Sequence, residues 1–208
     1  VGMNPVKGIR FPRISNERTR FFSFDEVDAI LSKAKELDPA FHDACALALY
    51  AGLRRSEITN LSRPDINLAA GTIHVRDAKA GDRQAYINDK LRGILVARMA
   101  TEATRTRVIP LAPSTVSEKF RMIVDDLGLN SDVVDKRHKA CFHTLRHTFC
   151  SWLALQGEAL LTIKELAGHK TIQMTMRYAH LIPDHKKKAV NRIGHAASQN
   201  VLPFKKPA

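Results

Sequence analysis

The segment from residue 141 to residue 181 constrains the fold most, because its pattern predicts three helices in succession. The apolar residues of the first helix recur at helical spacing, at Leu145, Phe149, Trp152 and Leu153. This spacing predicts one buried face and leaves His143, Arg146 and His147 together on another face. We therefore expect the first helix to direct imidazole and guanidinium groups toward one place.

The second and third helices of this segment add a histidine and a tyrosine. Thr162 and Glu165 have the spacing of a capping box, which predicts the start of the second helix. Gly168 predicts a left-handed stop, so that His169 is fixed at the helix end. The third helix is predicted to start near Thr171 and to bury Ile172, Met176 and Ala179. Tyr178 lies off that stripe, which would hold a phenol near two imidazoles and an arginine.

A surplus of basic residues indicates the kind of partner. The 208 residues include 33 Lys and Arg against 21 Asp and Glu, a formal net charge of +12. A charge of this size suits a polyanionic partner, although it is also compatible with a basic surface that has no specific function. A chain of this length can form one domain with a well-buried core or a small pair of domains, and we expect one domain.

Cysteine usage and hydropathy predict the compartment. The three cysteines, Cys45, Cys141 and Cys150, are odd in number and lack a paired C-x-x-C spacing, which predicts reduced core thiols. No apolar run approaches transmembrane length, and no signal peptide precedes the fold. We therefore expect a soluble cytoplasmic protein with no membrane contact.

Helix signals recur along the rest of the chain. A capping box formed by Ser23 and Glu26 predicts the first helix. The apolar stripe of that helix consists of Val27, Ile30, Leu31 and Ala34. Asp38 and the proline after it predict the start of a second helix, which Gly52 ends. Further helices are predicted to open at residue 56 and to span residues 91–100, 114–127 and 184–197.

One β element interrupts these helices. Residues 71–75 and 84–87 are short β-type runs on either side of a turn-rich segment, which predicts a hairpin with Lys79 near its tip. Residues 108–111 are compatible with a short strand or with an extended link. The predicted fold class is α+β, mainly α with a small antiparallel β-hairpin or sheet.

Several common chemistries lack their motifs. There is neither a G-x-x-x-x-G-K-[ST] loop nor a G-x-G-x-x-G coupled to a strand, so nucleotide binding has no support. His143 and His147 have the spacing of zinc ligands, but the sequence lacks the H-E-x-x-H glutamate and an evident third ligand. Acidic residues do not cluster as a two-metal nuclease requires. A metal-free reaction would have to use fixed cations.

Five ordered motifs resemble the catalytic domain of the tyrosine recombinases, the phage integrase family. They are A-G-L-R-R-S-E-I at 51–58, Lys79 in the hairpin, H-T-L-R-H at 143–147, L-A-G-H at 166–169 and M-R-Y-A-H at 176–180. The resemblance covers nearly all of residues 21–190 and implies the tyrosine recombinase catalytic-domain fold. Within the family, the sequence resembles integrases of prophages and genomic islands more than the recombinases that resolve chromosome dimers.

The resemblance implies a phosphoryl-transfer site built on cations. A DNA phosphodiester gains negative charge on its non-bridging oxygens in the transition state, and rigid donors there stabilise it. Arg54 and Arg146 match the two family arginines that clamp the scissile phosphate, a task for which the planar guanidinium is suited. Tyr178 matches the nucleophile, which leaves a 3′-phosphotyrosine and a free 5′-hydroxyl.

The remaining implied roles concern proton transfer and support. Lys79 matches the general acid that protonates the leaving 5′ oxygen. His143 and His169 would orient the phenol and the phosphate, and His143 could also accept the tyrosine proton. Glu57 would act as a supporting carboxylate for the arginine and histidine geometry. Because the bond energy is kept in the phosphotyrosine, the resemblance implies no cofactor, no metal and no ATP.

Each matching residue also has a purely structural interpretation. Arg54 could lie at a helix C-terminus, and Lys79 could be an exposed lysine, with Lys90 and the lysines of the basic connection at 130–139 as rivals for the role of acid. The two histidines and the tyrosine could cap helices or bond a nearby carbonyl. Three functions therefore remain: a site-specific recombinase that integrates or excises a mobile element, a type IB topoisomerase-like enzyme, and a DNA-binding module without catalysis.

The resemblance also implies an organisation and partners. Family members usually carry DNA-binding domains ahead of the catalytic domain, so we expect a linker at 1–20, a catalytic domain at 21–197 and a flexible tail at 198–208. The expected partners are double-stranded DNA at attachment sites, further copies in a tetramer on synapsed DNA, and accessory DNA-bending or directionality proteins. The isolated fragment is expected to be a monomer and to associate with the bacterial nucleoid, and the last helix is expected to dock on a neighbouring subunit.

Overall fold

The computed structural model describes residues 20–76, 81–101, 106–184 and 190–191. The α-helices in these ranges are α1 Phe24–Leu37, α2 Pro39–Tyr50, α3 Arg55–Asn60, α4 Asp89–Thr101, α5 Pro113–Asp126, α6 Phe142–Leu155, α7 Leu160–Ala167 and α8 Gln173–Met176. The strands are β1 Ile66–Asn67, β2 Thr72–Val75 and β3 Arg83–Tyr86. The prediction of a mainly helical fold with a small antiparallel sheet is confirmed.

The chain divides into two compact units, Val1–Phe149 and Cys150–Ala208, with the boundary inside α6. The predicted domain limits at residues 21 and 197 stay a prediction. Lys79, the predicted tail and nearly all of the predicted linker and last helix lie outside the described residues. None of the helices in the described ranges is long and apolar enough to cross a membrane.

Helices α1 and α2 begin where the sequence predicts. Ser23 and Glu26 form a reciprocal capping box, each side chain accepting a hydrogen bond from the other residue's backbone N–H. Asp38 caps α2 by accepting from the backbone N–H groups of Ala40 and Phe41. Both caps satisfy amide groups that a helix start leaves without partners. They therefore fix the residue at which each helix begins. In the predicted α1 stripe, Val27, Ile30 and Ala34 are buried as expected, whereas Leu31 is half-buried.

The core of the first unit contains three aromatic rings in contact. Phe120, on the apolar face of α5, lies between Phe22 at a centroid distance of 6.2 Å and Phe142 at 5.7 Å. The second contact is edge-to-face, the geometry that aromatic quadrupoles favour. The backbone N–H of Phe22 also donates to the Thr148 hydroxyl at 2.9 Å. These contacts join the start of α1, the middle of α5 and the first half of α6.

The sheet has the order β1-β2-β3, and all of its pairs are antiparallel. In the β2–β3 hairpin, Thr72 lies opposite Tyr86 and Val75 lies opposite Arg83. The hairpin was predicted, whereas β1 is too short to leave a recognisable alternation. Residues 108–111 form no strand, but the Val108 N–H donates to the Leu61 carbonyl oxygen at 3.0 Å, next to an isolated bridge between Ser62 and Arg107.

The predicted buried stripe of α6 is only partly correct. Leu145 is fully buried, but Phe149, Trp152 and Leu153 are half-buried. The Phe149 ring covers Gly52, where an added Cβ atom would lie 2.5 Å from Phe149 Cδ1. A large side chain used to cover a backbone turn keeps one face open, so helical spacing alone overestimated its burial.

The second unit corrects two predictions about helix limits. α7 starts at Leu160 after Ala159, which makes no side-chain cap bond, so the predicted capping box at Thr162 is wrong. The stop is as predicted, because Gly168 has φ 63° and the His169 N–H donates to the Lys164 carbonyl oxygen. That backbone closure holds the end of α7.

The third predicted helix of the segment is shorter than expected, and the residues that it buries differ from the predicted ones. α8 has four residues, and the 3₁₀ turn Ala179–Leu181 follows it. Met176 is exposed, whereas Thr175 and Tyr178 are buried. The predicted stripe is therefore wrong, because a single turn followed by a 3₁₀ turn does not keep the 3.6-residue period.

The cysteines are free thiols, as the sequence predicts. Cys45 and Cys150 are buried, and burial raises the pKa of the Cys45 thiol well above its ordinary value. Cys141 is half-buried, so its assignment to the core was wrong.

Candidate active site

Arg54 occupies the N-cap position of α3, where the chain turns from α2 into the short helix. Its backbone N–H donates to Glu57 Oε2 at 2.7 Å, and its Nη1 donates to Glu57 Oε1 at 2.6 Å. The Glu57 side chain is 4% exposed and that of Arg54 is 26% exposed. Arg54 therefore starts a helix and does not end one, and Glu57 orients both its backbone and its guanidinium.

Arg146 is anchored on the same turn by a different bond. It lies on α6 and is 3% exposed, and its Nη1 donates to the carbonyl oxygen of Gly52. Gly52 precedes Arg54 by two residues and has φ 63°, a conformation that glycine adopts without steric cost. Both predicted arginines are thus positioned by the segment between Gly52 and Glu57.

The two histidines of α6 contact each other one turn apart. The rings of His143 and His147 have centroids 4.8 Å apart and are nearly perpendicular. His143 is exposed, while His147 is 7% exposed. Of the pair, His143 is the one open to an incoming group.

A cleft of about 890 Å³ in the first unit brings Arg54 and His143 to one surface. Its basic lining side chains are Arg54, Arg55, Arg121 and Lys139, and Asp125 is the acidic residue among those that line it. A concave surface with this excess of positive charge attracts an anion from solution. The cleft was not predicted, because its walls come from α3, α5 and the connection into α6.

The second unit places His169 and Tyr178 together. Their rings are parallel within 6°, with centroids 6.4 Å apart. His169 Nδ1 lies 2.9 Å from the hydroxyl of Thr175, which is fully buried. Tyr178 is 5% exposed. Sequence reasoning missed Thr175, whose only signal was its position three residues before the tyrosine.

Arg83 is the second residue that the sequence did not single out. It begins β3, and its Nη2 donates to Glu57 Oε2 at 3.0 Å. Lys79, the predicted general acid, lies outside the described residues. Within the described parts of the chain, no three His, Cys, Asp or Glu side chains are grouped so that they could hold a metal ion.

Comparison with known proteins identifies the family. A family model described as the phage integrase family matches residues 20–185 of the chain, which include the Arg54, Arg146 and Tyr178 motifs. The chain belongs to the phage integrase family. The prediction made from the five motifs is confirmed at this level.

Relatives of this integrase-family chain include recombinases and phage integrases. It is 30% identical over 197 residues to a tyrosine recombinase of Thermosipho africanus (strain TCF52B), covering 91% of this chain and 67% of the relative. It is 29% identical over 200 residues to the tyrosine recombinase XerC of Chlamydia trachomatis serovar L2 (strain ATCC VR-902B / DSM 19102 / 434/Bu), covering 88% of this chain and 61% of the relative. The chain therefore spans about two thirds of the length of these relatives.

A solved structure supports the fold assignment. The catalytic domain of bacteriophage HP1 integrase is similar with a TM-score of 0.65 and 27% identity. The similarity covers 82% of this chain and 93% of that domain. The integrase-family chain thus has the fold of a tyrosine recombinase catalytic domain.

Proposed function

We propose that residues 21–197 form the catalytic domain of a site-specific DNA recombinase that cleaves and rejoins strands through a 3′-phosphotyrosine. One observation carries the proposal: Arg54 and Arg146, on different helices, are both anchored on the Gly52–Glu57 segment. One guanidinium held by a buried carboxylate and one held by a backbone carbonyl oxygen form a preorganised receptor for a phosphate oxygen pair. The stacked His169 and Tyr178 of the second unit provide a phenol that is held in place.

In the proposed first step, the Tyr178 phenolate oxygen attacks phosphorus and the bond from phosphorus to the 5′ oxygen breaks. Arg54 and Arg146 donate to the non-bridging oxygens, where negative charge increases in the transition state. Each well-placed donor of this kind contributes about 3 kcal/mol to transition-state stabilisation. The product is a 3′-phosphotyrosine and a strand that ends in a 5′-hydroxyl.

The proton balance assigns the other predicted residues. The phenol loses its proton to His143, and the leaving 5′ oxygen gains a proton from Lys79. His169 orients the phenol and the phosphate. Proton transfer by positioned groups of this kind contributes about 10²–10⁴ to the rate.

Rejoining is the reverse reaction with a 5′-hydroxyl from another strand. The phosphotyrosine conserves the energy of the broken phosphodiester, because one phosphate ester replaces another. The proposed cycle therefore uses neither ATP nor a metal ion. Exchange between two sites requires several copies, so we propose a tetramer on paired DNA attachment sites and a role in integrating or excising a mobile element.

Covalent trapping tests the nucleophile. The wild-type chain, Y178F and the matched control Y86F are incubated with nicked DNA that carries the attachment ends of the encoding element. Tyr86 is 57% exposed on β3 and has no role in the proposal. We expect a denaturation-resistant adduct with the wild type and Y86F, and none with Y178F.

The other outcomes separate the alternatives. An adduct that persists in Y178F would assign the nucleophile to another residue. Absence of an adduct from the wild-type chain that still binds the DNA would favour a DNA-binding module without catalysis.

A further inference from the structure

Glu57 is shared by two arginines from different elements of the first unit. Its Oε1 accepts from Arg54 Nη1 at 2.6 Å, and its Oε2 accepts from Arg83 Nη2 at 3.0 Å. The Arg83 side chain is 13% exposed, so this ion pair is largely shielded from water. The carboxylate therefore has a fixed guanidinium on each oxygen.

We propose that Arg83 is a positioning residue for Arg54, which it controls through Glu57. This inference rests on the proposed function, in which Arg54 binds the scissile phosphate. Arg83 does not touch the substrate in this proposal. It sets the orientation and the net charge of the group that does.

The first argument is electrostatic. A carboxylate paired with Arg54 alone would neutralise the guanidinium and reduce its attraction for a phosphate. A second guanidinium on the same carboxylate leaves the cluster of Arg54, Glu57 and Arg83 with one net positive charge. In a partly buried site this difference is felt strongly, because screening by water is weak.

The second argument is geometric. Arg83 begins β3, where it lies opposite Val75 of β2 in the hairpin register. Its backbone is therefore held by the sheet, and its guanidinium donates to Glu57 Oε2, whereas Arg54 Nη1 donates to Oε1. Oε2 also accepts from the Arg54 backbone N–H at 2.7 Å, so loss of Arg83 removes one of the two donors described on this oxygen and loosens the last torsion of the carboxylate, which is a soft one. The Arg54 guanidinium, hydrogen-bonded to the other oxygen, would lose orientation with it.

The experiment compares R83M and R83K with R92M as the matched control. Arg92 is a half-buried arginine of the same unit that donates to the Leu68 carbonyl oxygen and not to Glu57. In single-turnover adduct formation, R83M should be slower by about tenfold to a hundredfold, the penalty for a misplaced catalytic group. R83K keeps the charge and one donor, so its rate should lie within about threefold of the wild type. R92M should match the wild type, and a loss in R92M equal to that in R83M would overturn the proposal.

A neutral substrate distinguishes positioning from a general structural defect. When a methylphosphonate replaces the scissile phosphate, one non-bridging oxygen and its charge are removed, so the Arg54 guanidinium contributes less. The ratio of wild-type to R83M rates should then fall toward one. If R83M slowed both substrates by the same factor, Arg83 would be merely structural and the proposal would be wrong.

An equilibrium readout keeps this test separate from the proposed function. Inorganic phosphate should raise the melting temperature of the wild type and R92M by equal amounts, and it should raise that of R83M and R54M less. This shift depends on anion binding alone, not on strand cleavage. A wild-type shift retained in R83M would overturn the inference even if the wild type forms the DNA adduct, whereas a lost shift would support it even if no adduct forms.

Discussion

The buried Thr175 hydroxyl holds the half-buried His169 by a hydrogen bond. Its Oγ1 lies 2.9 Å from the ring Nδ1, and the residue is fully buried. A bond to one ring nitrogen sets the tautomer and the direction in which the other nitrogen points. The parallel stacking of His169 on Tyr178 thus depends on a residue that has no reactive role of its own.

T175V is expected to slow adduct formation by about tenfold, because His169 loses a buried hydrogen-bond partner and Val cannot replace it. T175S keeps the hydroxyl and should retain most of the rate. Single-turnover trapping on nicked DNA measures both variants. A T175V variant as fast as the wild type would show that the hydroxyl does not position the imidazole.

At the scale of elements, the turn between α2 and α3 connects packing to the candidate site. Gly52 has φ 63°, and the Phe149 ring leaves no room for a side chain there. Its carbonyl oxygen accepts from Arg146, and Arg54 follows two residues later. One tight turn therefore determines the positions of both arginines.

G52A is expected to lower the free energy of unfolding by about 2 kcal/mol or more, because the new methyl group meets the Phe149 ring and a positive φ is costly for alanine. It should also reduce adduct formation by displacing the carbonyl that holds Arg146. G93A is the control, since Gly93 lies inside α4 with nothing within 4 Å of an added Cβ. That substitution should raise the free energy of unfolding by about 0.5–1 kcal/mol. Urea unfolding measures both, and equal effects of the two substitutions would contradict the packing argument.

Asp38 joins α2 to α5. Burial raises the pKa of its carboxyl, but hydrogen bonds from Lys119 and from two backbone N–H groups outweigh burial, so the pKa lies below its ordinary value of 3.8. Lys119 Nζ lies 2.7 Å from Asp38 Oδ2. A carboxyl whose pKa is lowered by folding stabilises the native state above its unfolded pKa. This contribution is lost as the pH falls through the folded pKa.

D38A should therefore lower the free energy of unfolding by about 1–2 kcal/mol at pH 7, the usual range for a lost N-cap. The difference from the wild type should shrink below about pH 4, because the wild-type carboxyl becomes protonated as well. D38N retains an acceptor for the cap and should show a smaller loss at pH 7. Urea unfolding between pH 7 and pH 3 checks this, and a difference that grows on acidification would refute it.

At the scale of the whole molecule, part of the net charge of +12 lies at the cleft of the first unit, whose lining includes Arg121 and Lys139. Arg121 and Lys139 are exposed there, on α5 and on the connection that precedes α6. A phosphate backbone bound along such a surface releases counterions, which makes affinity depend steeply on salt. Part of the formal charge in the sequence is thus assigned to a defined surface, the cleft of the first unit.

We expect the logarithm of the DNA association constant to fall linearly with the logarithm of salt concentration. R121Q and K139Q should each reduce the slope by about 1. K35Q, which changes an exposed lysine of α1 outside the cleft lining, should leave the slope unchanged. Fluorescence anisotropy over a salt series measures this. A slope that responds to K35Q as much as to R121Q would assign binding to charge in general and not to the cleft.

Local signals in the sequence determined much of this protein. Four features depend only on residues a few positions apart: the caps at Ser23 and Asp38, the stop at Gly168 and the hairpin. They could therefore be predicted without the tertiary structure. The motif residues Arg54 and Arg146 could be recognised because their types and order are distinctive. The α8 stripe failed because a single helical turn is too short to keep a period, and the α7 capping box failed because the helix already begins at Leu160, ahead of Thr162.

Only the tertiary structure decided which groups hold the candidate site. The Arg146–Gly52 bond joins residues 94 positions apart, and the Arg83–Glu57 bond joins residues 26 apart. No sequence period encodes such pairs, because they exist only when packed elements bring distant side chains within hydrogen-bond distance. Thr175 could not be identified from the sequence for the same reason. Its role depends on its burial and on the imidazole that it contacts, and neither can be inferred from a threonine in a sequence.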